Sequence, residues 1–336
     1  MTDTDRAHPS PEASHAETEG ARTSAAALTS GLVSLRQPDG LILSTGNLYF
    51  TSHEHVGGST NAYVWRTAQS AVPGQEAQLY KENVALFGDI VFAQVGGAFF
   101  GYFFATPRIG EPVVIKRVPL TGGPATIVPA GPAVHIGFID IFNTHRNLVT
   151  DGAYLYWQNH SSVQKIPIGG GDITVLDDAP TSTPTAGLAL QGKNLIYASE
   201  NHIRFVPTDG STILPPHLRT IVTAATRVTA LHAVDNGVYW GEESGAVNVK
   251  VGTTVTTLPS TPGLVPTSIS TNGRTAGAAQ AWSQCGGSSG CKLHFAYPSW
   301  NSSSAIGTRA LGVTVTSASN VFWGDDAGVH RQVFFS

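Results

Sequence analysis

Charge is scarce in this 336-residue sequence, where Asp, Glu, Lys and Arg together make up 12% of the chain, about half of the ~25% usual in globular proteins. The net charge is −4 and no Lys/Arg cluster occurs. That excludes a nucleic-acid or anionic-membrane surface, because either needs concentrated positive charge. Cysteine appears twice, as Cys285 and Cys291. A structural zinc site lacks a second ligand pair; the thiols are expected reduced, with pairing across Gly286 to Gly290 as the alternative. No secretory leader is expected, since residues 1–28 show no apolar stretch and no basic start. They read as a disordered tail, residues 29–336 as a single domain, and the location as cytoplasmic. The uncharged run Ile90 to Pro107 is broken by Gly96, Gly97 and Gly101, so it reads as strands rather than a membrane span.

What the chain has in abundance is glycine (37) and proline (20), a profile that suits many short strands and tight turns. The stretch Asp151 to Leu176 displays the unit. A strand alternates toward Tyr156 and Trp157, a polar turn follows at Gln158 to Ser162, Val163 to Ile168 gives a second strand, and Gly169 to Asp172 turns into a third. That is an antiparallel meander. Strands ending on an aromatic recur at Phe50, Phe92, Trp157, Tyr197, Trp240, Trp282 and Trp323, in steps of 40 to 43 residues with one of 65. A period near 40 with four strands per unit marks a β-propeller blade, which must pack on its neighbours to bury both faces. The expected fold is therefore all-β, a seven-bladed β-propeller of four-stranded antiparallel blades. Gly312 to Phe335 supplies three strands of the last blade, and Gly31 to Arg36 is expected to be its fourth, closing the ring.

The strings Tyr156-Trp157-Gln158-Asn159, Tyr239-Trp240-Gly241-Glu242 and Phe322-Trp323-Gly324-Asp325 carry a resemblance, together with Arg117-Val-Pro-Leu and Lys165-Ile-Pro-Ile. They resemble bacterial propellers with YWTD- and NHL-like repeats. The resemblance implies the fold; those groups include ligand-binding proteins, hydrolases and lyases, so it implies no single activity.

Turns after the second strands should emerge on one face together with the crossovers between blades. Two readings of their polar residues stand side by side. One is a divalent-metal or acid/base site of a lyase or hydrolase, with His53 or His55, His160, His202 and a carboxylate such as Glu54, Glu200 or Glu242 as ligands or proton carriers. The other is that polar residues gather in turns because turns face water. No cofactor other than such a metal is implied.

Ala98-FFGYFF-Ala105 crowds Phe99, Phe100, Tyr102, Phe103 and Phe104 around one glycine. It is expected as an inserted loop of blade two, next to a second insertion from Val134 to Arg146. One side would pack on the neighbouring blades, and the rest would form an apolar wall over the channel. Phe99, Phe100, Tyr102, Phe103, His135, His145 and His160 are then the ligand-binding candidates. The leading expectation is a binding or accessory protein for a small molecule or peptide, with a protein partner or homodimer contacting the blade-two insertion.

Overall fold

The computed structural model describes residues 29–34, 38, 40–44, 46–56, 59–83, 86–106, 113–131, 148–159, 161–178, 186–211, 215–271, 279–286, 290–297, 300–306, 310–315, 320–325 and 327–333. The alternating, β-branched and aromatic runs of the sequence form strands, and Gly-containing turns reverse them. At Gly252 a φ of 57° opens a two-residue turn that a Cβ-bearing residue would adopt only with strain.

Among the described residues the strands group into seven four-stranded antiparallel sheets. Blade one is Gly40–Ser44, Asn47–Val56, Ser59–Ala68 and Ala77–Asn83; blade two is Leu86–Val95, Ala98–Thr106, Val114–Pro119 and Thr126–Ile127. Blade three is Leu148–Thr150, Tyr154–Gln158, Val163–Pro167 and Thr174–Asp177; blade four is Leu188–Gln191, Asn194–Ser199, His202–Pro207 and Thr220–Thr223. Blade five is Val228–Val234, Gly237–Glu242, Val247–Val251 and Thr254–Leu258; blade six is Val265–Thr271, Gln280–Cys285, Cys291–Tyr297 and Trp300–Ile306. The last is Ala310–Val315, Asn320–Asp325 and Gly328–Val333, completed by the N-terminal strand Thr29–Ser34.

The first strand of each sheet lies beside the first strand of the next, and that of the last beside that of blade one, so the sheets form a propeller ring. Closure comes from pairing of Thr29 with Val333 through Ser34 with Val329, overlapping the expected Gly31 to Arg36, whose last two positions lie outside the described residues. No helix among the described residues is long and apolar enough to cross a membrane.

The core lies between blades. Trp157, Tyr197, Trp240, Trp282 and Phe322 are all below 2% exposed or nearly so, and burying each such side chain contributes roughly 1.5–3 kcal/mol. Polar clamps span the same seams. Arg219 pairs with Asp177, which also accepts from the Tyr197 hydroxyl, between blades three and four. Lys116 of blade two pairs with Glu82 of blade one.

Blade two departs from the expected phase. Asp89 to Gln94 lies in its first strand, and Ala98–Thr106 is its second strand rather than an inserted loop. Phe104 therefore takes the place of Phe92 in the aromatic series, and the steps from Phe50 and to Trp157 become 54 and 53 residues. Two adjacent aromatic strands separated by Gly96-Gly97 offered two choices of anchor; pairing of Ile90 with Phe103 decides between them.

Candidate functional site

In a four-stranded meander the second-to-third-strand turns and the crossovers share one face, and the first-to-second and third-to-fourth turns share the other. On the first of these faces, the residue two positions beyond the last aromatic of the second strand is polar and buried in each sheet: Ser52, Thr106, Asn159, Ser199, Glu242, Gln284 and Asp325. Most have a visible structural task. Glu242 accepts from Trp240 Nε1 and Asn248 Nδ2 at 2.9 Å each and from the Thr226 N–H at 3.1 Å. Gln284 donates to the Gly245 and Leu264 carbonyls and accepts from the Thr261 N–H. Asp325 lies 2.7 Å from His330 Nε2 and accepts from the Ala327 N–H. Asn159 Oδ1 caps its own turn through the N–H groups of Ser161 and Ser162, and Ser52 accepts from Trp65 Nε1 at 2.8 Å. A carboxylate or amide that accepts from several such donors holds turns and crossovers in place. The repeating position is readable in the sequence once the aromatic series is aligned.

Among the described residues, the expected histidine ligands occupy two separate blades. His53 and Glu54 lie toward the end of the second strand of blade one, where alternation sends them to opposite sides, and Glu54 accepts from the Tyr63 hydroxyl at 2.9 Å. The side chain of His55 lies outside the described residues. Glu200 occupies the turn of blade four with φ 57°, its carbonyl accepting the Val228 N–H, and His202 Nδ1 sits 3.2 Å from Thr223 Oγ1. Blades one and four are three apart in the ring. Among the described residues no group of three His, Cys, Asp or Glu could hold a metal ion. His135, His145 and His160, and the second insertion from Val134 to Arg146, lie outside the described residues.

The aromatic candidates separate. Tyr102 and Phe103 are fully buried, because successive strand residues point to opposite faces and this strand is covered on both: Tyr102 packs with blade three and Phe103 with blade one. Neither can wall a channel mouth. Phe99, by contrast, is 52% exposed, and Phe100 is half-buried. Both begin the second strand beside the Gly96-Gly97 turn, so they belong to the face opposite the second-to-third-strand turns.

On that opposite face blades two and three repeat one arrangement. Phe100 pairs in register with Pro119 and Tyr154 with Pro167, and the cation two residues before each proline lies over the aromatic ring. The Arg117 guanidinium is 5.2 Å from the Phe100 centroid and Lys165 Nζ is 4.5 Å from that of Tyr154. Such cation–π contacts contribute about 0.5–2 kcal/mol and fix the ring faces. Arg117 Nε also donates to Thr126 Oγ1 at 3.3 Å and Lys165 to the Thr208 carbonyl at 2.6 Å. Burial raises the Tyr102 hydroxyl above its ordinary value, opposed by Arg117, and that hydroxyl donates to the Ile168 carbonyl across the seam. The result is a rigid aromatic and cationic rim with Phe99 standing clear of it. The sequence signal was the repeated Lys/Arg-x-Pro, at Arg117 to Pro119 and Lys165 to Pro167, which marks a repeat but does not reveal the ring beneath each cation.

Cys285 and Cys291 are joined in a disulfide, against the expectation of reduced thiols. They sit directly opposite each other at the end of a hairpin, where strand pairing brings the two Cβ atoms within bonding reach.

No family model and no curated protein sequence matches the chain. Solved structures do. A streptogramin B lyase structure superposes over 91% of this chain and 96% of its own with a TM-score of 0.62 at 14% identity. The WD40 β-propeller domain of Doa1 gives 0.62 at 11% identity over 92% of this chain and 97% of its own. A chain of the mitotic checkpoint complex gives 0.59 at 12% identity over 100% and 99%. At such identities the likeness establishes the fold alone: the chain is a β-propeller.

Proposed function

We propose that this protein is a binding or accessory protein, a seven-bladed propeller over residues 29–336 preceded by a tail, that takes a small molecule or peptide on the face carrying the first-to-second-strand turns. The observation that carries this reading is the exposed Phe99 beside the braced Phe100–Arg117 and Tyr154–Lys165 pairs. An exposed aromatic on a rigid rim binds flat or apolar groups at little entropic cost, and the half-buried Arg117 offers charge-assisted bonds to an acidic group at its edge. The similar chain of the mitotic checkpoint complex belongs to an assembly, which supports a general interaction role. A metal-assisted lyase or hydrolase is the weaker reading, because Glu242 and Asp325 already accept buried donors. The disulfide favours an oxidising compartment over the cytoplasm.

The test is a thermal-shift screen against metabolite and peptide pools, run on wild type, Phe99→Ser and Arg117→Met. A ligand that binds the native state raises its melting temperature. Phe99→Ser should lose that shift while melting within about 2 °C of wild type, since surface changes cost about 0.5 kcal/mol or less. A ligand shift undiminished in both variants would overturn the assignment of this face.

A further inference from the structure

The outer strands of the blades differ in how their free edges are protected. An unpaired edge is a template for further strand pairing, and natural sheets blunt it with bulges, brevity or charge. Register shifts interrupt the outer pairs of blade one at Val64/Trp65, blade three at Val163/Gln164, blade four at Ile203/Arg204 and the last blade at Leu32/Ser34. Blade two has an outer strand of two residues. Blade five has none of these devices. Thr254 to Leu258 pairs without interruption with Val251 to Val247, carries no charge and no proline, and is exposed from Thr254 through Thr257, Val255 at 51%. Blade six is also paired without a shift, but the middle of its outer strand, Asn301 to Ala305, holds none of the β-branched residues that favour strands.

We propose that the blade-five outer edge is a pairing surface for a second copy of this chain, joined antiparallel about a two-fold axis through Thr256. The two-residue turn at Gly252-Thr253 makes Val251 and Thr254 a hydrogen-bonded pair. Alternation then directs the backbone groups of Thr254, Thr256 and Leu258 inward and those of Val255 and Thr257 outward. Two such edges fit each other without adjustment. Val255 meets Thr257 of the second copy, Thr257 meets its Val255, and Thr256 meets Thr256 on the axis. This is the self-complementarity that an isologous contact requires. No like charges are brought together, because the strand has none and the neighbouring Lys250 is turned toward blade four, donating to the Ile221 carbonyl at 2.7 Å. The two blades become one continuous sheet. This surface is distinct from the aromatic rim of blades two and three, and Phe99→Ser leaves it intact.

The test is sedimentation equilibrium of the full chain from about 1 to about 300 µM, a range that captures a weak dimer. Wild type should form a concentration-dependent dimer. Thr256→Lys and Thr256→Glu should each weaken it about tenfold or more by facing like charges across the axis, and an equimolar mixture should restore it as a heterodimer. Val255→Pro should weaken it as well, since it removes an outward N–H and no in-sheet bond; circular dichroism confirms that each variant folds. A wild type that stays monomeric throughout the range, or a dimer that survives Thr256→Lys and Val255→Pro, overturns the proposal, including the case in which the edge instead captures an unrelated peptide.

Discussion

His294 lies flat on Trp282, the ring centroids 5.3 Å apart and the planes 3° from parallel, with Nε2 3.3 Å from Thr261 Oγ1. Burial holds its pKa down to about 4, with the nearby Lys292 adding to the effect, whereas an unfolded histidine titrates near 6.5. Between those values the unfolded chain binds more protons than the native one. The contribution of His294 is therefore complete above about 6.5 and is lost as pH falls through about 4. Melting temperature should fall across that window in wild type, and His294→Gln, which keeps a donor and acceptor for Thr261, should flatten that part of the profile. An unchanged slope in the variant would count against a buried neutral His294. Nothing in the sequence marks the ring beneath His294, because stacking depends on which residue stands opposite across the sheet.

At the scale of the element, the blade is a self-contained meander whose faces are not self-contained. Gly241 illustrates this: a Cβ there would come within 2.3 Å of Pro266 in the next blade, so the second strand of blade five is cut to the shape of blade six. The seam between blades three and four is bound by charge as well as shape. Asp177 and Arg219 are 3% and 4% exposed at the side chain, and burial together with Asp177 pushes the Tyr197 hydroxyl well above its ordinary value. Breaking a buried pair strands the remaining charge. Arg219→Leu should cost about 3–5 kcal/mol in urea denaturation, and Asp177→Leu combined with Arg219→Leu should recover much of it. Equal losses in the single and double variants would mean that packing, not charge, holds the seam. Period and turn composition made the blades legible, including the aromatic at the end of most second strands. They misplaced one strand in blade two, where the Gly96-Gly97 turn separates two runs equally suited to the pattern.

For the whole molecule, stability rests on the ring being closed. Thr29–Ser34 covers the edge of Gly328–Val333, and Arg331 reaches from that strand to the Gln69 carbonyl of blade one at 3.0 Å. Deleting residues 1–34 should lower the melting temperature by about 5 °C or more and promote aggregation through the uncovered edge, while deleting 1–28 should leave it nearly unchanged. Calorimetry of the two truncations distinguishes closure by this strand from closure by side-chain packing alone. The sequence by itself determined what is local and periodic: strands of alternating residues, turns at glycine, the repeat, and the need for an N-terminal strand to complete the last blade. Only the tertiary structure decided which polar residues are spent on holding turns, that Tyr102 and Phe103 are core while Phe99 is surface, and that Arg117 and Lys165 each cap a ring. The physical reason is that burial and pairing are set by neighbours from other strands and other blades, whose register a one-dimensional pattern does not encode.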